Sequence, residues 1–384
     1  MTNCAAALAL LLAMALMAAT CDAPVDTPVA IPTPGSAAAD RVALVALYHA
    51  TDGPNWTDNR NWLTDVHIGA WFGVTTVRGR VTELRLDENQ LTGTIPSTLG
   101  RLTNLRKLSL TWNQLTGAIP PDLGHLAQLQ ELVLGHNQLT GTIPSTLSGL
   151  TNLKTLWLSW NQLTGAIQPD LAHLTQLQDL GLSNNQLSGA IPSWLGSLGN
   201  LHSLSLEENQ LSGAIPRILG DLHRLRHLNL AANHLQGPIP RELGLLASLE
   251  VLDLADNQLR GDLPPELGGL SRLTSLTLAR NRLQGEIPPE LGRLTNLRRL
   301  SLDGNQLRGT IPPQLGSLTH LRELSLRDNR LDGKVPSDLG HLANLQHVNL
   351  GSTNRLTGCL PARLRNARFN DLEELELPFC WYTS

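Results

Sequence analysis

Twelve asparagines recur along this chain at an almost constant interval. Each follows the previous one by 24 residues until the last, which follows by 25: Asn89, Asn113, Asn137, Asn161, Asn185, Asn209, Asn233, Asn257, Asn281, Asn305, Asn329 and Asn354. A period of roughly 20 to 50 residues indicates a solenoid, in which each unit contacts only its neighbours and none folds alone. The interval therefore constrains the fold more than any other feature of the sequence.

The residues between the asparagines also repeat. One unit reads Leu105-x-x-Leu108-x-Leu110-x-x-Asn113-x-Leu115-x-Gly117-x-Ile119-Pro120, and all twelve copies keep the asparagine, the leucine two places later and the glycine. This pattern resembles the plant-type subclass of the leucine-rich repeat family over roughly residues 81–358. The resemblance implies an α/β solenoid, a right-handed coil with a concave parallel sheet. Alternating leucines agree with it, because they would fill the interior while each unit adds one short strand.

The conserved polar and small residues predict how each turn is built. A buried asparagine can both donate and accept hydrogen bonds, so the stacked asparagines should form a ladder that satisfies the backbone groups of the turns. Gly117 and its equivalents indicate a special backbone angle or a close approach. Ile119-Pro120 predicts a short outer strand, and Gln168 alone replaces this proline.

The N-terminal region predicts export. Residues 1–20 contain an apolar run that is too short to cross a bilayer comfortably and is typical of a signal peptide. Residues 21–39 are rich in Pro, Ala and Thr and should form an extended linker or tether. Cys21 follows a segment that loosely resembles the lipobox of bacterial lipoproteins, so we expect either a lipid anchor at Cys21 or plain secretion.

Both ends of a solenoid expose apolar core and need caps. Residues 40–80 should form the first, with an amphipathic helix that Asp40 would N-cap, followed by Trp56, Trp62 and Trp71 as cap core rather than a sugar-binding platform. This segment resembles the N-terminal cap of plant-type repeat proteins, although it lacks their cysteine pair.

Residues 359–384 should form the second cap. Cys359 and Cys380 stand on either side of Leu372-Glu-Glu-Leu375-Glu-Leu377, which has the spacing of a strand. An exported protein allows a disulfide here, which would close the last coil. Free thiols or a metal site are the alternatives, and a metal site is disfavoured because no Cys-x-x-Cys motif or histidine pair lies nearby.

Composition and motifs narrow the function. The net charge of -4 and the absence of a basic run disfavour nucleic acid as a partner, and membrane contact is expected only through a lipid anchor. The catalytic and phosphate-binding motifs that we sought are missing, so we expect no enzyme activity, no catalytic residue and no cofactor. Asp253 and Asp256 alone make a weak cation site, and we expect no metal.

Variable positions within each unit predict the binding surface. They lie six, four, two and one residues before each asparagine, on the exposed face of the strand. In three successive units they place Trp112, His136, Trp157 and Trp160 close together, and neighbouring strands about 4.8 Å apart bring Trp112 and Trp160 to about 10 Å with His136 between them. We expect this cluster to bind a ligand, and the alternative is that the rings lie flat over their own sheet.

Charged residues complete the expected surface. The ligand-binding residues that we predict besides the aromatic cluster are Lys107, Glu131, Glu207, Glu208, Asp253, Asp256, Arg280, Arg299 and Arg327. A mixed-charge face suits a polar protein or peptide, although ordinary solubility also explains it.

Two classes of function remain open. The first is a recognition module outside the cytoplasm, either secreted or lipid-anchored at the cell surface, that binds a protein, peptide or glycan as a monomer. Plant-type relatives include receptor ectodomains and inhibitors of cell-wall-degrading enzymes, so the resemblance implies protein interaction. The second is a structural or adhesive surface protein. Ice binding is a variant of the second class, but Thr94, Thr142 and Thr310 recur too irregularly for an ordered ledge.

Overall fold

The structure is a computed structural model that describes residues 35–380. The expected signal peptide, Cys21 and most of the expected linker lie outside the described residues. Within residues 35–380, no helix combines the length and apolarity needed to span a membrane.

One long sheet runs through the molecule. Its first strand belongs to the N-terminal cap and is antiparallel to the second, which is the strand of coil 1. Every later strand is parallel to its neighbour. We number the coils 1 to 12 after their asparagines, Asn89 to Asn354. The fourteen strands, in spatial and chain order, are Val74–Val77, Arg80–Arg85, Lys107–Ser109, Glu131–Val133, Thr155–Trp157, Asp179–Gly181, Ser203–Ser205, His227–Asn229, Val251–Asp253, Ser275–Thr277, Arg299–Ser301, Glu323–Ser325, His347–Asn349 and Phe369–Asn370.

Leucines fill the interior of the coils. Leu105, Leu108, Leu110 and Leu115 are fully buried, and their equivalents in the other coils form one continuous apolar column with them. Pairing is in register, since Leu108 lies opposite Leu84 on one side and Leu132 on the other. The predicted solenoid is confirmed, and its regular stacking places equivalent side chains of successive coils side by side.

The turns after the asparagines of coils 4 to 12 carry a second set of strands, and those of coils 1 to 3 form isolated bridges. These nine strands are Thr164–Gly165, Gln186–Ala190, Gln210–Gly213, His234–Gly237, Gln258–Asp262, Arg282–Gln284, Arg308–Gly309, Arg330–Lys334 and Arg355–Thr357. The expectation that Ile119-Pro120 forms this strand was wrong. Where this strand forms, it ends before the isoleucine position. Pro120, with φ -65° and ψ 129°, instead precedes a 3-10 helix. Gln168 adopts almost the same angles, which explains why a non-proline is accepted there.

Short 3-10 helices complete the coils on the side away from the long sheet. They span Ser97–Arg101, Pro121–His125, Ser145–Gly149, Pro169–His173, Ser193–Ser197, Arg217–Asp221, Arg241–Leu245, Pro265–Gly269, Pro289–Arg293, Pro313–Ser317, Ser337–His341 and Ala362–Asn366.

The glycine of the turn has the predicted special angle, with φ +74° at Gly117. This left-handed angle is one that a residue with a side chain rarely adopts.

The predicted asparagine ladder is present. Asn233 donates its amide hydrogens to the carbonyl of Leu206 in the preceding coil, at 3.0 Å, and to Leu230 and Ala231 in its own coil. Its Oδ1 accepts from the amide of Leu211, at 2.9 Å. From Asn113 onward the asparagines thus join their own turns to the coil before, while Asn89 bonds Asp58 of the N-terminal cap. This bonding fixes the backbone directly behind the exposed face.

The N-terminal cap begins with helix α1, Ala37–Ala50, followed by 3-10 turns at Gly53–Asn55 and Ile68–Ala70. Asp40 is not its N-cap, as the sequence suggested. Ser36 caps the helix by accepting from the amide of Ala39, and the helix starts within the segment expected to be linker. Asp40 lies one turn in, fully buried, where it accepts from Arg80 and from the amide of Val81. The helix is thereby tied to the first parallel-paired strand.

The tryptophans of this cap are buried, as predicted. Trp56, Trp62 and Trp71 are at most 5% exposed, and they pack on one another and on Tyr48. The indole nitrogens of Trp56 and Trp62 donate to backbone carbonyls. These rings close the end of the leucine column and are not available as a sugar-binding platform.

The C-terminal cap is closed by the predicted disulfide between Cys359 and Cys380. The expected strand at 372–377 is absent, because Leu372–Leu375 is a 3-10 helix and the last strand is Phe369–Asn370. Asp371 takes over the role of a ladder asparagine, with its carboxylate accepting from the amides of Leu350 and Gly351. A carboxylate accepts but lacks the amide donor of asparagine, so Asp371 reproduces only the accepting half of the ladder.

Candidate functional site

The exposed face of the long sheet carries the variable positions of the repeat. We call this surface the display face and define it by the residues six, four, two and one positions before each asparagine. In the strands, the central leucine is buried while the two flanking side chains remain partly exposed, as in Lys107–Ser109 and Thr155–Trp157. Residues from different coils therefore meet laterally on one continuous surface.

Two tryptophans and a histidine form a stacked column on coils 2 to 4, which we call the aromatic column. The ring centroids of Trp112 and His136 are 3.6 Å apart with planes at 8°, and those of His136 and Trp160 are 5.2 Å apart at 12°. Trp112 and Trp160 nevertheless stay 57% and 51% exposed. Burial lowers the pKa of His136, so its imidazole is neutral near pH 7.

The backbone beneath the aromatic column is strained. Trp112, His136 and Trp160 have φ of +55°, +52° and +61°. This left-handed region costs a residue with a side chain about 1–2 kcal/mol, and glycine and asparagine tolerate it best. Coils 5 and 10 place Asn184 and Gly304 at the same position, but other coils hold residues such as Arg280 there with the same angle. The repeat therefore imposes this angle on every side chain, and the angle itself does not require a ring here.

Trp157 does not join the aromatic column. Its ring lies across the neighbouring coils, so that a Cβ added at Gly135 or at Gly181 would come within 2.8 Å of it. Beneath it, the hydroxyl of Ser159 is buried without a hydrogen-bond partner. The prediction that three tryptophans cluster was thus wrong for Trp157, which lies flat over its own sheet because glycines on both sides make room for it.

Three carboxylates flank two alanines on coils 6 to 8, and we call this cluster the acidic hollow. Glu207, Glu208 and Asp253 border the small side chains of Ala231 and Ala232 in coil 7. Burial raises the pKa of Glu207, and the carboxylates of Asp253 and Glu208 raise it further. Burial also raises the pKa of Asp253, with a further contribution from Asp256. No described basic side chain forms a salt bridge with these three carboxylates, although the positive charges of Arg299 and Arg280 partly oppose the rise in the pKa of Asp253.

The other predicted charged residues are paired between coils. Lys107 contacts Glu131 at 2.8 Å, and Arg299 contacts Glu323 at 2.9 Å. Arg280 hydrogen-bonds Asp256 in the preceding coil. Arg327 lies within 3.4 Å of both Asp328 and Glu374, next to the C-terminal cap. Pairing makes these residues weaker candidates for ligand contact than the unpaired carboxylates of the acidic hollow.

An open groove of about 460 Å³ lies beside the aromatic column. Its lining includes Glu88, Gln90, Trp112, Gln114 and His136. Glu88 occupies in coil 1 the position that Trp112 occupies in coil 2, and it too has a positive φ, +53°. The sequence-based prediction missed Glu88 because it started from coil 2, although the same count back from Asn89 would have found it.

Nothing in the geometry of this face indicates catalysis. Within residues 35–380, no group of three or more His, Cys, Asp or Glu side chains is placed to hold a metal ion. The aromatic column, the groove and the acidic hollow instead offer apolar surface and negative charge for contact.

Comparison with protein families gives two matches that together cover most of the repeats. A family described as "Leucine-rich repeat region" matches residues 201–381, and one described as "Leucine rich repeat" matches residues 79–139 and 127–187. No catalytic family is among these matches. The comparison with curated proteins gives no significant match.

Several solved structures resemble this chain. The Arabidopsis receptor kinase HAESA, solved with the peptide hormone IDA and the co-receptor SERK1, has 36% identity and a TM-score of 0.76, over 84% of this chain and 55% of its own. A leucine-rich repeat protein of Leptospira interrogans has 31% identity and a TM-score of 0.60, over 77% of this chain and 81% of its own. A plant ice-binding protein has 27% identity and a TM-score of 0.56, over 90% and 99%.

The extent of these matches differs between the groups. This chain spans about half the length of the plant receptor chains that it matches, with values from 44% to 55% for four of them. It covers most of the Leptospira interrogans protein.

Proposed function

Because this chain belongs to the leucine-rich repeat family, we propose that it is a recognition module without catalytic activity, which binds a protein or peptide on its display face. The aromatic column is the observation that carries this proposal. Trp112 and Trp160 are more than half exposed at left-handed backbone positions that favour glycine or asparagine. Exposed tryptophans are the side chains that dominate many interfaces when a partner covers them.

Rigid support for the face favours the same function. The asparagine ladder and the leucine column fix the backbone behind the display face, so the free protein already holds the shape that a partner would meet. A preorganised surface loses little conformational entropy on binding. The solved receptor HAESA uses a related stack of coils and is described in complex with a peptide hormone.

We further propose that the protein acts outside the cytoplasm as a monomer. The apolar run in residues 1–20 supports export, and the disulfide between Cys359 and Cys380 is of the kind that persists in oxidising compartments. Cys21 is our candidate for a lipid anchor, with plain secretion as the alternative. Mass spectrometry of the mature N-terminus decides between them, since a lipid adds its mass to Cys21.

Selection of binders tests the recognition function directly. Peptides displayed on phage are selected against the full chain, and the affinity of each selected peptide is measured by calorimetry. We expect at least a tenfold loss in the double variant Trp112→Asn/Trp160→Asn, at an almost unchanged melting temperature. The matched control Trp194→Phe changes a partly buried tryptophan that belongs to the 3-10 helix Ser193–Ser197 and should leave affinity intact. Selected peptides that bind both variants equally well would refute a role for the aromatic column.

The alternative is a structural or adhesive surface protein, in which the coils supply length. The resemblance to a plant ice-binding protein supports this alternative. Attachment of cells, or inhibition of ice growth, would then survive Trp112→Asn/Trp160→Asn and would fall when whole coils are deleted. If the protein instead recognises a partner on the display face, binding should fall in Trp112→Asn/Trp160→Asn although every coil is present.

A further inference from the structure

The display face of coils 1 to 8 is strongly acidic although the chain as a whole is not. The carboxylates on it are Glu83, Asp87, Glu88, Glu131, Asp179, Glu207, Glu208, Asp253 and Asp256. The only basic residues on this part of the face are Arg85 and Lys107, which already contact Glu83 at 3.2 Å and Glu131 at 2.8 Å. Asp256 is also paired, with Arg280 of coil 9. The net charge of the whole chain is only -4, so the acidity of this face reflects placement rather than composition.

Basic residues are concentrated instead along the edge where the chain enters each strand. In coils 1 to 8, the basic residues at seven or nine positions before the asparagines are Arg80, Arg106, Lys154, Arg224 and Arg226, with Glu250 as the acidic exception. Most of the positive charge in these coils therefore lies off the display face, whereas coils 9 to 11 carry Arg280, Arg299 and Arg327 on it. Such separation selects among partners, because the acidic face attracts a positively charged segment and repels a negatively charged one.

Charge and aromatic surface alternate along the display face. Glu88 stands beside Trp112 in the open groove, the aromatic column follows on coils 2 to 4, and the acidic hollow occupies coils 6 to 8. A cation in the groove could lie against the indole of Trp112 with a carboxylate beside it, an arrangement that attracts basic side chains. In the hollow, Oε2 of Glu207 is buried without a hydrogen-bond partner.

We propose that the partner is a basic polypeptide segment, rich in Arg or Lys, that lies in extended form across coils 1 to 8. This rests on the recognition function proposed above and specifies the chemistry of its ligand. Seven steps between coils of about 4.8 Å span about 34 Å, which an extended segment of about ten residues covers. Its basic side chains pair with the free carboxylates of the groove and the hollow, and an apolar side chain covers Trp160.

A peptide library tests this chemistry. Acetylated and amidated decapeptides carrying Arg, Leu, Asn or Glu at random are passed over the immobilised full chain, and retained peptides are sequenced by mass spectrometry. We expect Arg to be enriched at least tenfold over Glu, with retention that falls as salt is added. The triple variant Glu88→Gln/Glu207→Gln/Asp253→Asn should retain at least tenfold less Arg-rich peptide than the unmodified chain.

A charge-matched control separates a docking face from general attraction. Asp170→Asn/Asp262→Asn/Glu266→Gln removes the same charge from exposed positions off the display face, and it should retain Arg-rich peptides as the unmodified chain does. Equal losses in the two triple variants, retention without preference for Arg, preference for Glu, or no retention at all would overturn the inference. If uncharged peptides are retained and then lost in Trp112→Asn/Trp160→Asn, the recognition function stands and only the basic partner is refuted.

Discussion

The indole of Trp112 and the imidazole of His136 stack with their centroids 3.6 Å apart and their planes at 8°. They come from successive coils at the same position, one residue before the ladder asparagine, and both have a left-handed backbone. Because the coils stack regularly, residues one repeat apart in the sequence lie side by side, and their rings stack. Because His136 is held between two indoles, the column presents its ring edges and the outer face of each tryptophan to solvent.

Replacing Trp160 by asparagine should barely change stability. The substitution removes one stacking contact, worth about 0.5–1.5 kcal/mol, and relieves a left-handed strain of about 1–2 kcal/mol. The two effects are opposite, so we expect the free energy of unfolding to change by less than about 1 kcal/mol. Urea denaturation measures it, and a loss of several kcal/mol would assign the ring to folding instead of binding.

Trp157→Ala is the matched control for that experiment. Its ring packs flat over Gly135 and Gly181, and it covers the buried hydroxyl of Ser159. Removing it uncovers these groups, and we expect a loss of about 2 kcal/mol. Equal effects of Trp157→Ala and Trp160→Asn would contradict the distinction between packing and display.

The fold was predictable because every coil meets the same physical requirement. A turn that buries backbone amides and carbonyls needs a side chain that donates and accepts, and asparagine supplies both, so its interval reveals the stack. Local details were less predictable. Asp40 looks like an N-cap in the sequence, but the capping is done by Ser36, and Asp40 instead bonds Arg80, a partner 40 residues away that local pattern does not reveal.

The candidate site was predictable to the extent that it depends on the interval. Counting back from each asparagine places Trp112, His136 and Trp160 in one column, and the structure has them there. Trp157 differs because its orientation depends on Gly135 and Gly181 in other coils, a lateral relation that becomes visible only when strands are aligned. Ion pairing between Asp256 and Arg280 likewise arises across coils.

The acidic hollow should make stability depend on pH. Folding raises the pKa of Glu207 and of Asp253, chiefly through burial and further through neighbouring carboxylates, so their charged forms are less favourable in the fold than in the unfolded chain. This penalty is absent below their ordinary pKa values and fully present above the raised ones. Glu207→Gln/Asp253→Asn should therefore raise the melting temperature near about pH 7, and the gain should disappear as the pH falls to about 4.

Calorimetry of the variant and the unmodified chain across this pH range measures the difference. Asp262→Asn/Glu266→Gln, which removes the same charge from exposed positions, should give no comparable gain. A gain that persists at low pH would show that packing, not charge, causes it. A lower melting temperature at neutral pH would contradict the assigned direction of the pKa shifts.

Breaking one rung of the asparagine ladder should be costly. Asn233→Ala removes donors to Leu206, Leu230 and Ala231 and the acceptor for the amide of Leu211. Backbone groups left buried without partners cost about 1–3 kcal/mol each, so we expect a loss of about 3 kcal/mol or more. Asn296→Ala, which loses one exposed bond to Ser271, should cost less than about 1 kcal/mol by the same denaturation measurement. Similar losses in both variants would contradict a special role for the ladder.

The disulfide between Cys359 and Cys380 should stabilise the C-terminal end locally. The bond closes a loop with a sequence separation of 21, which in the chain-entropy model contributes about 3 kcal/mol. Coils contact only their neighbours, so its loss should free the last coils before the rest of the stack. Hydrogen exchange should therefore accelerate around Leu356 and Leu364 after reduction, while amides near Leu156 stay protected. The double variant Cys359→Ala/Cys380→Ala should show the same pattern without reductant and no further change with it. Uniform acceleration along the stack would mean that the bond supports the whole solenoid and not its end.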